Sequence, residues 1–346
     1  MMTSSVIIDS IGTAKPVASK ILSDAFEIPQ ELITKLIYGA PSVLLHKVDK
    51  TLAEKATTTL SQLGLEVSVQ DASVSIPVSN ASYEISVYIE DIEALPTVTR
   101  QVSEFLGCSL KEAFHLLAEP SGIVLGNVSK ATVDAFSKRV DARVVASQVA
   151  KDTYTITVQP DEKLLQEQIS KELNTKEYPF INISYSDSQH IWRKYGTSNK
   201  LTICNESHLR YELLLEKVTT SNPRHKETLM TTIGMPEEII DTVLTNLPVQ
   251  LEEGITIQEA ITQIETYKAT GLHCACRALA TTDTQVHIDP IIDLEATRNL
   301  LSQFITEDQL PSKEGQSWSS PFIKKLIARY IESKLIEIQT SIEITA

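Results

Sequence analysis

The sequence predicts an α+β protein of three tandem units, each running strand, helix, helix, strand, helix, strand, with an α/β insertion between the second and third units and a helix closing the chain. Two observations carry this. A run of Pro, apolar triplet, capped amphipathic helix, stop residue and alternating strand recurs, and the interval from Pro41 to Gly64 equals that from Pro248 to Gly271. Upstream of each Pro the order also repeats, a short apolar strand followed by two amphipathic helices.

In the first unit SVIIDSI reads as a strand, KPVASKILSDAF and IPQELITKLIYGAP as helices, and Val43-Leu44-Leu45 as the second strand. Asp49 then caps a helix through Leu52, Ala56 and Leu60, Gly64 stops it, and Leu65 to Val69 alternate as a strand. The second unit repeats this with SYEISVYI, LPTVTRQVSEFLG and SLKEAFHLLAEP, Pro120 ahead of Ile123-Val124-Leu125, Ser129 as cap and Asp141 at the left-handed stop. The third has LRYELLLEKV, NPRHKETLMTTIG and MPEEIIDTVLTNLP, Thr256 with Glu259 as a capping box, and Gly271 before the strand Leu272 to Arg277. The boundaries are 1–72, 82–150 and 209–282 for the units. Residues 151–208 are an insertion or a degenerate repeat, and 283–346 a helical segment whose long helix runs from Ser320 to Thr340. Phe322, Leu326 and Tyr330 lie near one side of that helix, an apolar surface that calls for a partner.

Composition narrows the function. The chain has 346 residues, is 42% hydrophobic and carries a net charge of −14, so it has the apolar content of a folded protein and repels phosphate backbones and anionic lipid. Nucleic acid is therefore not the expected partner. No run is long and apolar enough for a membrane span, and MMTSSVIIDSIGTAKPV lacks the charged and apolar regions of a signal peptide, which points to the cytoplasm. Four cysteines, too few and too unevenly spread for a disulfide framework, are expected to be reduced.

On KPVASKIL, IPQELITKLIYGAPSVLLHKV and AEKATTTLSQLGLEVSV in the first unit, and SLKEAFHLL in the second, the repeat resembles the C-terminal domain of the bacterial ribosomal stalk protein, a fold shared with the substrate adaptor of the Clp protease. The resemblance implies a protein-binding scaffold whose partner surface lies on the first two helices. It carries Lys15, Val17 and Lys20 over as partner-binding residues in the first unit, with Glu31 and Thr34 at second-helix lysine positions. In the second unit it carries over Arg100 and Lys111, with Phe114 at another basic position.

Chemical motifs are sparse. In LHCACRAL a strand would turn Cys274 and Cys276 one way and His273 the other, so the three do not converge on a metal and a buried structural role is expected. His115 lacks a nucleophile motif beside it, and His287, Asp289 and Asp293 in HIDPIID read as a helix-capping turn. HIWRKYG, with Trp192 and Arg193, is the best basic-aromatic cluster and reads as an interface anchor. The sequence thus predicts a non-enzymatic scaffold or adaptor without cofactor or metal, binding proteins or itself within a larger assembly. Association with ribosomes and translation factors, or with a protease, is the alternative.

Overall fold

The computed structural model describes residues 3–74, 82–119, 121–159, 161–198, 200–219, 224–279, 283–312, 317–337 and 342–345. Pro120, Pro223, Ala280, Ile338 and Thr340, on which parts of the sequence reading rest, lie outside them. Among the described residues five small antiparallel sheets follow one another, and in each the first strand lies in the middle.

The first sheet has β1 (Ser4–Ser10) between β2 (Ser42–Val48) and β3 (Glu66–Asp71), with helices α1 (Val17–Phe26), α2 (Gln30–Tyr38) and α3 (Lys50–Gln62) between the strands. The second repeats it with β4 (Tyr83–Tyr88) central, then α4 (Leu95–Leu106), α5 (Leu110–Ala118), β5 (Ile123–Val128), α6 (Lys130–Ser137) and β6 (Arg143–Gln148).

Residues 151–208 build the same sheet with a shorter first connection. β7 (Thr153–Val158) is central, and α7 (Lys163–Leu173), β8 (Phe180–Ser184), α8 (Tyr185–Tyr195) and β9 (Leu201–Asn205) follow, so a single α-helix stands where the first two units have two. The next unit restores both with β10 (Tyr211–Val218), α9 (Arg224–Thr231), α10 (Glu237–Thr245), β11 (Val249–Ile255), α11 (Ile257–Ala269) and β12 (Leu272–Ala278). It is the fourth sheet in chain order.

The C-terminal segment, expected to be helical, also contains a sheet. β13 (Asp283–Ile288) pairs with the short strands β14 (Trp318–Ser319) and β15 (Ile323–Lys324) and with β16 (Ile342–Thr345), with α12 (Leu294–Leu301) and α13 (Lys325–Glu337) in the connections. The long helix therefore begins at Lys325 rather than Ser320, because Ser319 and Ile323 are spent on pairing with β13. Ala328, Ile331 and Leu335 bury one side of it in a core with Val286, Ile288 and Leu301, so that side is covered within the chain while Ile336 stays exposed.

Local chemistry explains four of the helix starts. Asp49, Ser129 and Asp293 each accept a backbone N–H of the first turn, and Thr256 and Glu259 form the full capping box. The second unit departs from expectation at its stop: α6 ends in the right-handed Lys138, and Asp141 is instead held by Gln101, whose amide donates to the carboxylate at 2.7 Å.

One irregularity recurs in the second strands. Lys47, Asn127, Asn182 and Gly254 all have positive φ, between 56° and 81°. In β2, β5 and β11 this residue sits where two residues oppose one on the central strand, which is a β-bulge. Lysine is the least suited of the four to the left-handed region, so Lys47→Asn is expected to stabilise the protein by about 0.5 kcal/mol, read as a shift in urea midpoint.

The central strands of the first four sheets are buried at consecutive positions, Ser5 to Ile8, Ile85 to Val87, Tyr154 to Ile156 and Tyr211 to Leu213, so both faces are covered there. In β13 buried Thr284, Val286 and Ile288 alternate with half-buried Gln285 and His287, so one face stays partly open. The chain divides into two compact bodies, one of residues 1–117, 122–152 and 183–194, the other of 118–121, 153–182 and 195–346.

Candidate interaction surfaces

In the first body, the end of α2 enters the second unit. Tyr38 donates its hydroxyl to the Phe105 carbonyl at 3.1 Å, while its own carbonyl accepts from Ser129 N–H at 3.1 Å and Thr132 Oγ1 at 2.8 Å. Its ring meets Phe105 edge-on, and Phe105 meets Phe136 with centroids 4.9 Å apart. Arg139 lies 5.1 Å over the Phe105 ring and donates to the carbonyls of Ala14 and Gly12 in the turn before α1. Burial pushes the Tyr38 phenol up and draws the Arg139 guanidinium down. Gly107 makes the approach possible, since a Cβ there would stand 2.5 Å from Pro16 Cβ.

A furrow runs past this joint. On one side about 190 Å³ is lined by Lys15, Pro16, Gln30, Thr34 and Gly107, and on the other about 610 Å³ by Lys35, Tyr38, Leu106, Leu125 and Asn127.

In the second body, Tyr211 reaches Thr155 of the third sheet, and burial raises its phenol to about 12. Buried Glu206 accepts from Thr153 and Thr155 hydroxyls and from Asn182 N–H at 2.6 Å, so its oxygens are satisfied by hydrogen bonds. Ile257 packs with Leu209 and Tyr211, and Cys204 and Cys276 pack against them. Cys274 joins the separate core of the fourth sheet. Burial raises the thiols of Cys204 and Cys274 to about 11, which keeps them protonated and poor nucleophiles at neutral pH. Asp293 caps α12 by accepting Ala296 N–H at 2.9 Å, and His287 Nδ1 lies 2.7 Å from Ser319 Oγ.

The outer face of the fourth sheet carries an ion network. Glu212, 1% exposed, pairs with Arg277 on the neighbouring strand and with Lys325 of α13. Glu253 pairs with Lys325 at 3.1 Å and Arg329 at 2.8 Å, and Lys325 also donates to Gln250 at 3.1 Å.

The residues singled out from sequence fall in separate places. Lys15, Val17 and Lys20 are exposed at the start of α1, Arg100 is exposed on α4, and Lys111 on α5. Trp192 and Arg193 are exposed on α8. Phe322 is exposed beside β15, and Leu326 and Tyr330 are half-buried on α13, where Tyr330 meets Phe304 edge-on. Of these, Lys15 lines the smaller part of the furrow.

Sequence reasoning missed Tyr38, Phe105, Arg139, Glu206 and Glu212. A signal existed for Glu212, an acid between Tyr211 and the Leu213–Leu215 run of LRYELLLEKV, where a strand buried on both faces forces a charge to find a partner.

Large apolar side chains stay exposed on the first helices of successive units: Val17 and Ile21 on α1, Leu32 on α2, Leu110 on α5, Leu164 on α7, Met230 on α9 and Ile239 on α10. Comparison with family models, with curated proteins and with solved structures found no match in any of the three. Among the described residues no helix is long and apolar enough to cross a membrane, and no group of three His, Cys, Asp or Glu side chains is placed to hold a metal ion.

Proposed function

We propose that this chain is a non-enzymatic scaffold whose tandem units resemble the ribosomal stalk C-terminal domain and bind protein partners through their first two helices. The observation that supports it is the recurrence of exposed apolar residues there, with Val17, Ile21 and Leu32 in the first unit and Met230 and Ile239 in the fourth. Covering a half-exposed side chain of this size contributes about 1 kcal/mol, so one unit binds weakly and several together bind firmly. Lys15, Lys20 and Lys35 beside the first patch would set orientation and on-rate toward an acidic partner surface.

The test is co-purification from the host, comparing wild type with Val17→Asp/Ile21→Asp/Leu32→Asp and with Met230→Asp/Ile239→Asp. Each set should cut partner recovery at least tenfold while thermal unfolding changes little, because solvated positions tolerate substitution. Full recovery by both sets would refute the reading.

A second reading has a specific observation behind it. Exposed Lys15 and Lys20 flank Val17 and Ile21 as basic residues flank the apolar patch in the stalk family, which favours a ribosome- or translation-factor-associated protein. Co-sedimentation with ribosomes, lost in Lys15→Glu/Lys20→Glu, is its expected result.

A further inference from the structure

The fifth unit is joined to the fourth differently from the way the first joins the second and the third joins the fourth. The first and second units share the Tyr38, Phe105 and Phe136 rings, and the third and fourth share Tyr211 and Ile257 with Cys204 packed against them. Between fourth and fifth the apolar clusters are separate. One comprises Leu213, Leu215, Leu229, Ile240, Tyr267 and Leu272 with their neighbours, the other Val286, Ile288, Leu301, Ala328, Ile331 and Leu335 with theirs, and among the described residues none belongs to both. Charges bridge them: Lys325 and Arg329, one helical turn apart on α13, reach Glu212 on β10 and Glu253 on β11.

We propose that this network is an electrostatic latch, and that the fifth unit leaves the outer face of the fourth sheet as a folded body when the charges are screened or reversed. Two features make release reversible. Arg277 lies opposite Glu212 on β12 and stays with it, so the most buried carboxylate keeps a cation after Lys325 departs. The fifth unit keeps its own core, because Ala328, Ile331 and Leu335 point into its own sheet rather than across the joint. Glu332, three residues beyond Arg329 on α13, has its carboxyl pushed up by burial and drawn back by that guanidinium.

The experiment uses the intact chain. Small-angle scattering reads the radius of gyration, and methyl NMR reads the packing of Val286, Ile288, Leu301 and Ile331. In Lys325→Glu/Arg329→Glu the radius is expected to rise by about a tenth while those methyl signals stay dispersed. Wild type should move in the same direction between roughly 0.05 M and 1 M salt, by less, because the partly buried pairs are incompletely screened. An unchanged radius in both measurements overturns the latch. So does collapse of the fifth unit's methyl dispersion together with the rise in radius, since the two units would then be one cooperative core.

Discussion

Phe105→Ala is expected to lose about 3 to 5 kcal/mol of stability, the largest effect of any single side-chain truncation proposed for this chain. The ring is 1% exposed and does three things at once. It fills the second unit against Phe136, it receives the edge of Tyr38 from the first unit, and it lies under the Arg139 guanidinium. Its removal leaves a cavity at a joint where the Tyr38 phenol and the Arg139 guanidinium are already partly desolvated, so the gap does not close cheaply. Urea unfolding followed by probes in both units should show the loss in each. Trp192→Ala, at a site 49% exposed, should stay within about 0.5 kcal/mol and serves as the control.

Gly64→Val should cost about 3 kcal/mol or more, beyond the 1 to 2 kcal/mol expected for a left-handed position alone. The residue has φ of +90°, and a Cβ there would lie 2.7 Å from Ala14 N and 2.9 Å from Thr13 C. Both are backbone atoms. They have no room to yield, because Thr13 N–H donates to the Gly64 carbonyl at 2.8 Å across the same gap. Gly271, at φ of +89°, accepts Thr219 N–H at 2.7 Å in the equivalent place of the fourth unit. Gly64→Ala should show most of the loss in denaturant titration; a change under about 0.5 kcal/mol would contradict the close approach.

What the sequence disclosed was what neighbours in the chain decide. Asp49, Ser129 and Thr256 cap helices because a side-chain oxygen three residues ahead of an N–H needs nothing distant to bond it. The glycine stops were legible for the same reason. The sheet in 151–208 was harder to see because its first connection holds α7 alone, although Pro179 stands just ahead of β8 as Pro41 stands ahead of β2. The fifth sheet was hidden because its second strand is split into β14 and β15, each too short to show alternation. Periodicity marks an apolar surface on α13 but does not say which chain covers it; Val286, Ile288 and Leu301 cover the side that carries Ala328, Ile331 and Leu335. The joints were the least legible. Tyr38 and Phe105 lie 67 positions apart, and Lys325 and Glu212 lie 113 apart, so no window of sequence contains both members.

Three-stranded sheets leave two outer strands each, and a chain with several of them presents many backbone rows able to pair with a neighbouring molecule. The left-handed residue in β2, β5, β8 and β11 acts on this hazard. It breaks the straight run of donors and acceptors on the edge strand, and at Lys47 it adds a charge as well. A strand so bent offers a second molecule no flat template of more than a few residues, which favours solubility at high concentration over any gain in ladder strength. The bulges thus guard the chain against β-aggregation, a task for which a single large sheet, with two edges in all, would need far fewer of them.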